Sequence, residues 1–487
     1  MRNRTFPLLI AIFLCGLSFS SAEEVRTFTN SQGKSIKATV LSVEGETTKI
    51  KLETGKEFTI PLSSLSPADQ EYLKAWTPGA PVPAPPISTE GSVTLETINE
   101  SIGQELFKDS TLWESPPEEV ASRLGWRRES KTEISESYRA YPKEDYRFLG
   151  ARPYSAAMYG EGEKVSGISI VFANKGDSFG SRGSGEEHFI KGKPVPGGME
   201  GLRVIMENDA ELISTALTEK LGEPVRQKFG EGESRVNVNR WDWGGHSFLL
   251  SNVEDEYVSL AIQTPEFADN RGNSKRVSDA TIRERVRGFV ESRNNGDVVI
   301  SNIPMVDQGP KGYCVPATAE RCMRFLGIPA DMYLLAMAGE TSAGGGTSVE
   351  ILLSNIGSDI RRKGRSFEIE SGELKMRDVQ KSIDDGIPII WAVYSTTEFN
   401  KTASARTEER QQEGNWDSYV GKVKQAADAP ILTPDRNKGH VVIIMGYNKA
   451  TNEIAFSDSW GERYLERWIT IPEAEQVSQK RFYVIDL

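Results

Sequence analysis

The sequence predicts a multidomain α+β protein with three folded parts. Three observations carry this: short alternating strands with Gly or Asn turns over residues 23–76, a Pro-rich stretch over 77–92, and mixed strand and helix patterns from 93 onward. At about 150 residues per domain, 487 residues correspond to roughly three domains. A hydrophobic content of 38% with nine Trp is enough for packed cores. The net charge of −12, from 58 Lys plus Arg against 70 Asp plus Glu, argues against nucleic acid or an anionic membrane surface as the main partner. Three Cys and three scattered His supply no paired ligand clusters, so no metal site is expected, and no motif calls for an organic cofactor.

Residues 1–22 begin with Arg2 and Arg4, run apolar from Phe6 to about Phe19, and end in small residues. Ser20 and Ala22 fit the −3 and −1 positions of a cleavage before Glu23. This is the layout of a secretory signal peptide, and the run is short for a membrane span, which leaves an uncleaved anchor as the alternative. Leu14 is too bulky for lipoprotein cleavage before Cys15. The expectation is export to the periplasm or the medium, with no stable membrane insertion after cleavage. Losing Arg2 and Arg4 takes the net charge from −12 to −14 and leaves Cys314 and Cys322 as the mature cysteines. On one helix their Cα atoms would lie about 12 Å apart, beyond the ~7 Å reach of a disulfide, so at least one serves as apolar filler or as a reagent.

The segments RTFTN, SIKATVLSVEG, TTKIKLETG and KEFTIPLSSL read as strands, and SPADQEYLKAW as a short helix. The pattern over 23–76 is that of a small SH3-like barrel. With its L-S-x-x-D-Q-x-Y-L ending it resembles the SLA homology domain found near the start of exported bacterial proteins. The resemblance implies peptide binding or packing on a neighbour. TPGAPVPAPPISTEGS, residues 77–92, is a semi-rigid linker. Residues 93–297 form an α+β region without a catalytic constellation. There, SPPEEVASRLGW and NDAELISTALTEKLG read as helices, while KVSGISIVFANK, VNRWDWGGHSFLLSNV and EYVSLAIQT read as strands. His188 and His246 lie in different segments and read as surface or packing histidines.

Residues 298–487 carry the chemistry. In PMVDQGPKGYCVPATAERCMRFLG, Gly312 marks a turn and ATAERCMRFLG has helical propensity, so Cys314 stands at a helix N-terminus. Unsatisfied amides and the helix dipole there favour a thiolate. Cys322, two turns on, reads as buried packing. The region's one histidine, His440, follows Gly439 and precedes the strong β run VVIIMGY. A second strand, EIAFS, ends at Asp458, followed by Ser459, Trp460 and Gly461. Neighbouring strand ends would let the Asp458 carboxylate orient the His440 imidazole. Gln308, six residues before Cys314, is placed to donate an amide hydrogen to a developing oxyanion.

The order Gln308, Cys314, His440, Asp458, with G-H-V-V-I-I-M-G-Y and S-D-S-W-G, resembles the papain-like cysteine peptidases. It is most similar to their bacterial branch that cuts leaders after double glycine, whose third member is commonly Asp. The resemblance covers about residues 300–487 and implies a papain-like fold, a Cys-His-Asp triad with a Gln oxyanion donor, a peptide or protein substrate, and no cofactor. It departs from the pattern at C-G-S-C-W, which is absent, and at Val315, where the branch has Gly. No transporter segment is attached, so a double-glycine leader does not carry over as substrate. No inhibitory propeptide is evident unless the middle region serves as one.

Two further stretches bear on the cleft. MAGETSAGGGTSVEILLSNIG has a Gly-rich loop that either borders the cleft or merely connects, then Thr347-Ser-Val-Glu350, a capping-box pattern opening a helix. Residues 401–429 are polar, charged and helical in pattern, and read as a solvated insertion. Two rivals to an exported peptidase share these residues: an inactive, peptide-binding relative, and a cysteine amidase acting on cell-wall peptides.

Overall fold

The computed structural model describes residues 26–29, 35–52, 55–65, 67–76, 93–109, 112–143, 145–178, 198–230, 235–273, 277–309, 312–339, 346–362, 365–412, 414–425 and 431–486. The expected signal peptide, the Pro-rich linker, His188 and most of the Gly-rich loop lie outside them. The chain divides into two compact units, Met1–Ser92 and Val93–Leu487.

In the first unit, period-2 alternation lays out β1 (Arg26–Thr29), β2 (Ser35–Glu44), β3 (Thr47–Leu52) and β4 (Glu57–Pro61) as one antiparallel sheet in chain order. A helix, α1 (Pro67–Ala75), follows. Phe28, Ala38 and Ile50 of the sheet bury with Leu62, Leu65, Tyr72 and Leu73. Among the described residues the sheet runs open from β1 to β4, without a pairing that closes it.

The second unit opens with α2 (Leu95–Ile102), capped by the Thr94 side chain accepting from the Thr97 amide and ended by Gly103 at φ 75°. Then come α3 (Pro117–Leu124), β5 (Arg127–Lys131), β6 (Glu136–Ala140), β7 (Ser155–Glu161) and β8 (Lys164–Asn174). The chain continues through α4 (Lys175–Ser178), α5 (Gly198–Leu221), β9 (Val225–Phe229), β10 (Val236–Trp243), β11 (His246–Val253), β12 (Tyr257–Gln263) and α6 (Pro265–Asp269). Two antiparallel meanders join at β8 and β12 into one sheet, ordered β5-β6-β7-β8-β12-β11-β10-β9. Leu202, Ile205, Ile213 and Leu217 of α5 pack with Ile168, Ile170, Phe248 and Leu260 of the sheet.

His246 is a packing histidine, fully buried against Phe107, Trp113 and Trp243. Burial pushes its pKa down to about 4, against hydrogen bonds with the Trp243 and Gly244 backbone that work the other way. A folded pKa below the unfolded one means that stability is complete above about pH 6.5 and falls as acid protonates the unfolded chain. Urea unfolding at pH 4.5 is expected to require about 2–3 kcal/mol less than at pH 7 because of this residue. His246→Phe should remove that part of the slope.

The remaining elements begin with α7 (Asp279–Gly288), β13 (Val290–Ser292) and β14 (Asp297–Ile300). Next come α8 (Cys314–Phe325), α9 (Met332–Ala338), α10 (Val349–Arg362), β15 (Ser366–Ser371), α11 (Met376–Asp384) and β16 (Ile389–Tyr394). They end with α12 (Thr397–Gln412), α13 (Trp416–Gln425), β17 (Gly439–Asn448), β18 (Glu453–Ser457), β19 (Arg467–Thr470), α14 (Ile471–Val477) and β20 (Ser478–Asp486). The sheet runs β13-β14-β17-β16-β20-β15, and β18 and β19 branch from β17. Ile282, Val286 and Phe289, ahead of position 298, share a core with Phe325, Leu326 and Ile444.

Two local readings change as well. Ser348 rather than Thr347 accepts the Ile351 amide at the start of α10. The 401–429 insertion turns much of its charge inward: Arg410 bonds Asp297 and Glu453, Arg406 bonds Glu473, and Tyr419 donates to Glu453. Phe399, Ala403 and Tyr419 are buried. Among the described residues no helix is long and apolar enough to cross a membrane.

Candidate active site

Helix α8 starts at Cys314, with Tyr313 as its N-cap. Pro316 is tolerated in the first turn, where an N–H would have no intrahelical partner. Val315, Ala319, Cys322, Met323 and Phe325 pack into the C-terminal core, which fixes the rotation of the helix. Cys314 is half-buried and Cys322 buried, and both thiols are free. Burial pushes the Cys322 thiol up to about 12.

His440 is the second residue of β17, a central strand paired with β14, β16 and β18. Its β-branched continuation Val441–Ile444 is buried, as a strand covered on both faces requires. Asp458 directly follows β18. His440 Nε2 lies 2.6 Å from Asp458 Oδ1. The Cys314 thiol hydrogen-bonds the same imidazole, which leaves Nδ1 for the sulfur. The indole of Trp460 stacks on the ring of His440, with centroids 4.7 Å apart and planes at 25°.

The electrostatics favour an ion pair. Burial raises the Cys314 pKa, but the hydrogen bond and charge of His440, with the Val441 and Val315 amides, outweigh it and hold the thiol below its ordinary range. Burial lowers the His440 pKa, but Asp458 and Cys314 raise it to about 10 overall. Burial also raises Asp458, and His440 and then Arg467 pull it below the usual carboxylate range. Both shifts favour the thiolate–imidazolium form over the neutral pair, and the two groups titrate as a coupled pair.

Gln308 is buried, and its backbone N–H donates to Ser459 O at 2.9 Å. That bond ties the segment ahead of α8 to the turn that follows Asp458. The four residues read from sequence thus meet at one place: Cys314, His440 and Asp458 through side chains, and Gln308 through its backbone.

Two buried arginines were missed. Arg467 Nη2 bonds Asp458 Oδ2, and its Nη1 lies 3.0 Å from Asn400 Oδ1. Arg321 donates to Pro304 O at 2.8 Å, Ser457 Oγ at 2.5 Å and Ser459 Oγ at 3.4 Å. A signal for Arg321 exists, because positions 314, 318 and 321 fall on one helical stripe and Thr318 also reaches Ser459. Arg467 has no local signal.

This arrangement fits a papain-like layout, with a thiol at a helix start and an imidazole and a carboxylate on adjoining strands. A model of the Peptidase_C39 like family matches residues 300–485, so the C-terminal part is similar to that family. Among curated proteins none matches the chain. The described residues hold no group of three or more His, Cys, Asp or Glu placed to bind a metal ion.

Proposed function

We propose that this chain is an exported hydrolase that cleaves peptide or amide bonds through Cys314, with the first unit as an SH3-like module. The observation that carries the reading is the continuous hydrogen-bonded series from Cys314 through His440 to Asp458. The Cys314 thiolate attacks the substrate carbonyl carbon, and the electron pair moves to oxygen. The Cys314 backbone N–H and the Gln308 side-chain amide receive that oxyanion. Imidazolium His440 protonates the departing amine as the C–N bond breaks, leaving a thioester. His440 then takes a proton from water, hydroxide displaces the thiolate, and the carboxylic acid product leaves. Asp458 keeps the imidazole oriented throughout.

Alkylation of the purified chain by iodoacetamide, followed against pH with site mapping, tests the pair. Cys314 is expected to label rapidly well below pH 8.5, and His440→Ala should move its profile up to the range of a free thiol. In parallel, a pooled peptide library should yield cleaved products whose formation stops after alkylation. Labelling that starts only near pH 8.5, with no cleavage, would place the chain with inactive, peptide-binding relatives.

A further inference from the structure

The middle sheet touches the site at the segment that carries Gln308. Glu129 of β5 accepts the Asp307 backbone N–H at 2.7 Å, and Tyr141, next to β6, donates its hydroxyl to Asp307 O at 2.5 Å. Both peptide groups flanking Asp307 are thus held by side chains of the middle region. Ser130 accepts the Met305 N–H at 3.0 Å. A Cβ at Gly309, whose φ is 65°, would lie 2.8 Å from the Tyr141 ring, so the next turn is moulded on the same tyrosine.

The grip is built into the protein's charge network. Arg139 pairs with Glu129 at 2.5 Å and lies 3.7 Å from Glu320 of α8. Glu320 accepts the Tyr159 hydroxyl at 3.1 Å. Val171 and Tyr257 of the sheet share a core with Val306, Tyr313, Ala317 and Met332. An inhibitory segment that leaves on activation would take with it the partners of buried groups on both sides of Cys314.

We infer that the middle region is a permanent part of the site, and that Tyr141 and Glu129 are positioning residues which place Gln308 against the oxyanion. This rests on the hydrolase reading above and gives the middle region its task. Misplacing an oxyanion donor affects the transition state far more than substrate binding or thiol acidity.

The test compares wild type, Tyr141→Phe, Gln308→Ala and the double variant of the full chain on the best-cleaved member of a pooled peptide library. Tyr141→Phe should lower kcat on the order of 10- to 100-fold, with KM and the Cys314 alkylation profile nearly unmoved. In the Gln308→Ala background it should cost nothing further. Glu129→Gln keeps a carbonyl oxygen for the Asp307 N–H and should lose less than Glu129→Ala. An unchanged kcat, or an equal loss in both backgrounds, overturns the inference. Hydrogen exchange supplies a reading independent of turnover. The Asp307 and Gln308 amides should exchange faster in Tyr141→Phe while those of α8 keep their rate, and unchanged exchange there also overturns it. A wild-type chain without turnover and with an ordinary thiol would instead remove the hydrolase reading, and exchange at 307–308 would still decide whether the middle region holds the loop.

Discussion

Cys314→Ala is expected to abolish peptide cleavage, with a fall in kcat on the order of 10⁶-fold when a covalent nucleophile is lost. The fold should survive, because the half-buried sulfur is replaced at a helix start whose packing depends on Val315, Ala319 and Phe325. Nucleophile and base act as one device, so adding His440→Ala to Cys314→Ala should cost almost nothing more. Cys322→Ala is the contrast. Its thiol is buried and held up to about 12, so turnover and alkylation should be nearly unchanged. Full activity in Cys314→Ala would end the proposed chemistry.

Arg467→Met should destabilise the C-terminal part by about 3–5 kcal/mol, the cost of stripping one partner from a buried ion pair. Asp458 and Arg467 are both buried, and the carboxylate would be left with His440 alone. In wild type the thiolate, imidazolium, carboxylate and guanidinium sum to zero charge. Without Arg467 the excess negative charge favours the protonated form of both neighbours, so the His440 pKa rises further and the Cys314 thiol becomes less acidic. The alkylation profile should therefore move to higher pH while denaturant unfolding shifts to lower urea. Asp458→Asn with Arg467→Met removes both charges and should recover most of each shift. If the single variant leaves both the profile and the midpoint in place, charge balance is not what Arg467 supplies.

The residues of the site differ in how much local pattern announces them. Cys314, His440 and Asp458 each stand at a punctuated boundary: a turn before a helix, a glycine before a β run, and a strand before S-D-S-W-G. Arg467 in E-R-W-I-T-I reads as a surface charge. Only the register of β18 on β19, which sets Arg467 opposite Phe456, brings it to the face used by Asp458 two residues on. Glu129 and Tyr141 are equally silent, since their partners come from a segment far along the chain. The insertion misleads for a related reason. Arg406 and Arg410 look solvated until the carboxylates of Asp297, Glu453 and Glu473 are folded against them.

The strand order of the C-terminal sheet bears on how the protein is made. β20 lies between β16 and β15, and β16 in turn pairs with β17, where Val393 sits opposite His440. Since β20 follows every other element of the sheet in the chain, the ribosome must synthesise Ser478–Asp486 before that gap can be filled. Such distant pairing is slow to form. Until it does, β16, which flanks the strand bearing His440, has a neighbour on one side only. The sheet that carries His440 is therefore completed only by the last strand of the chain.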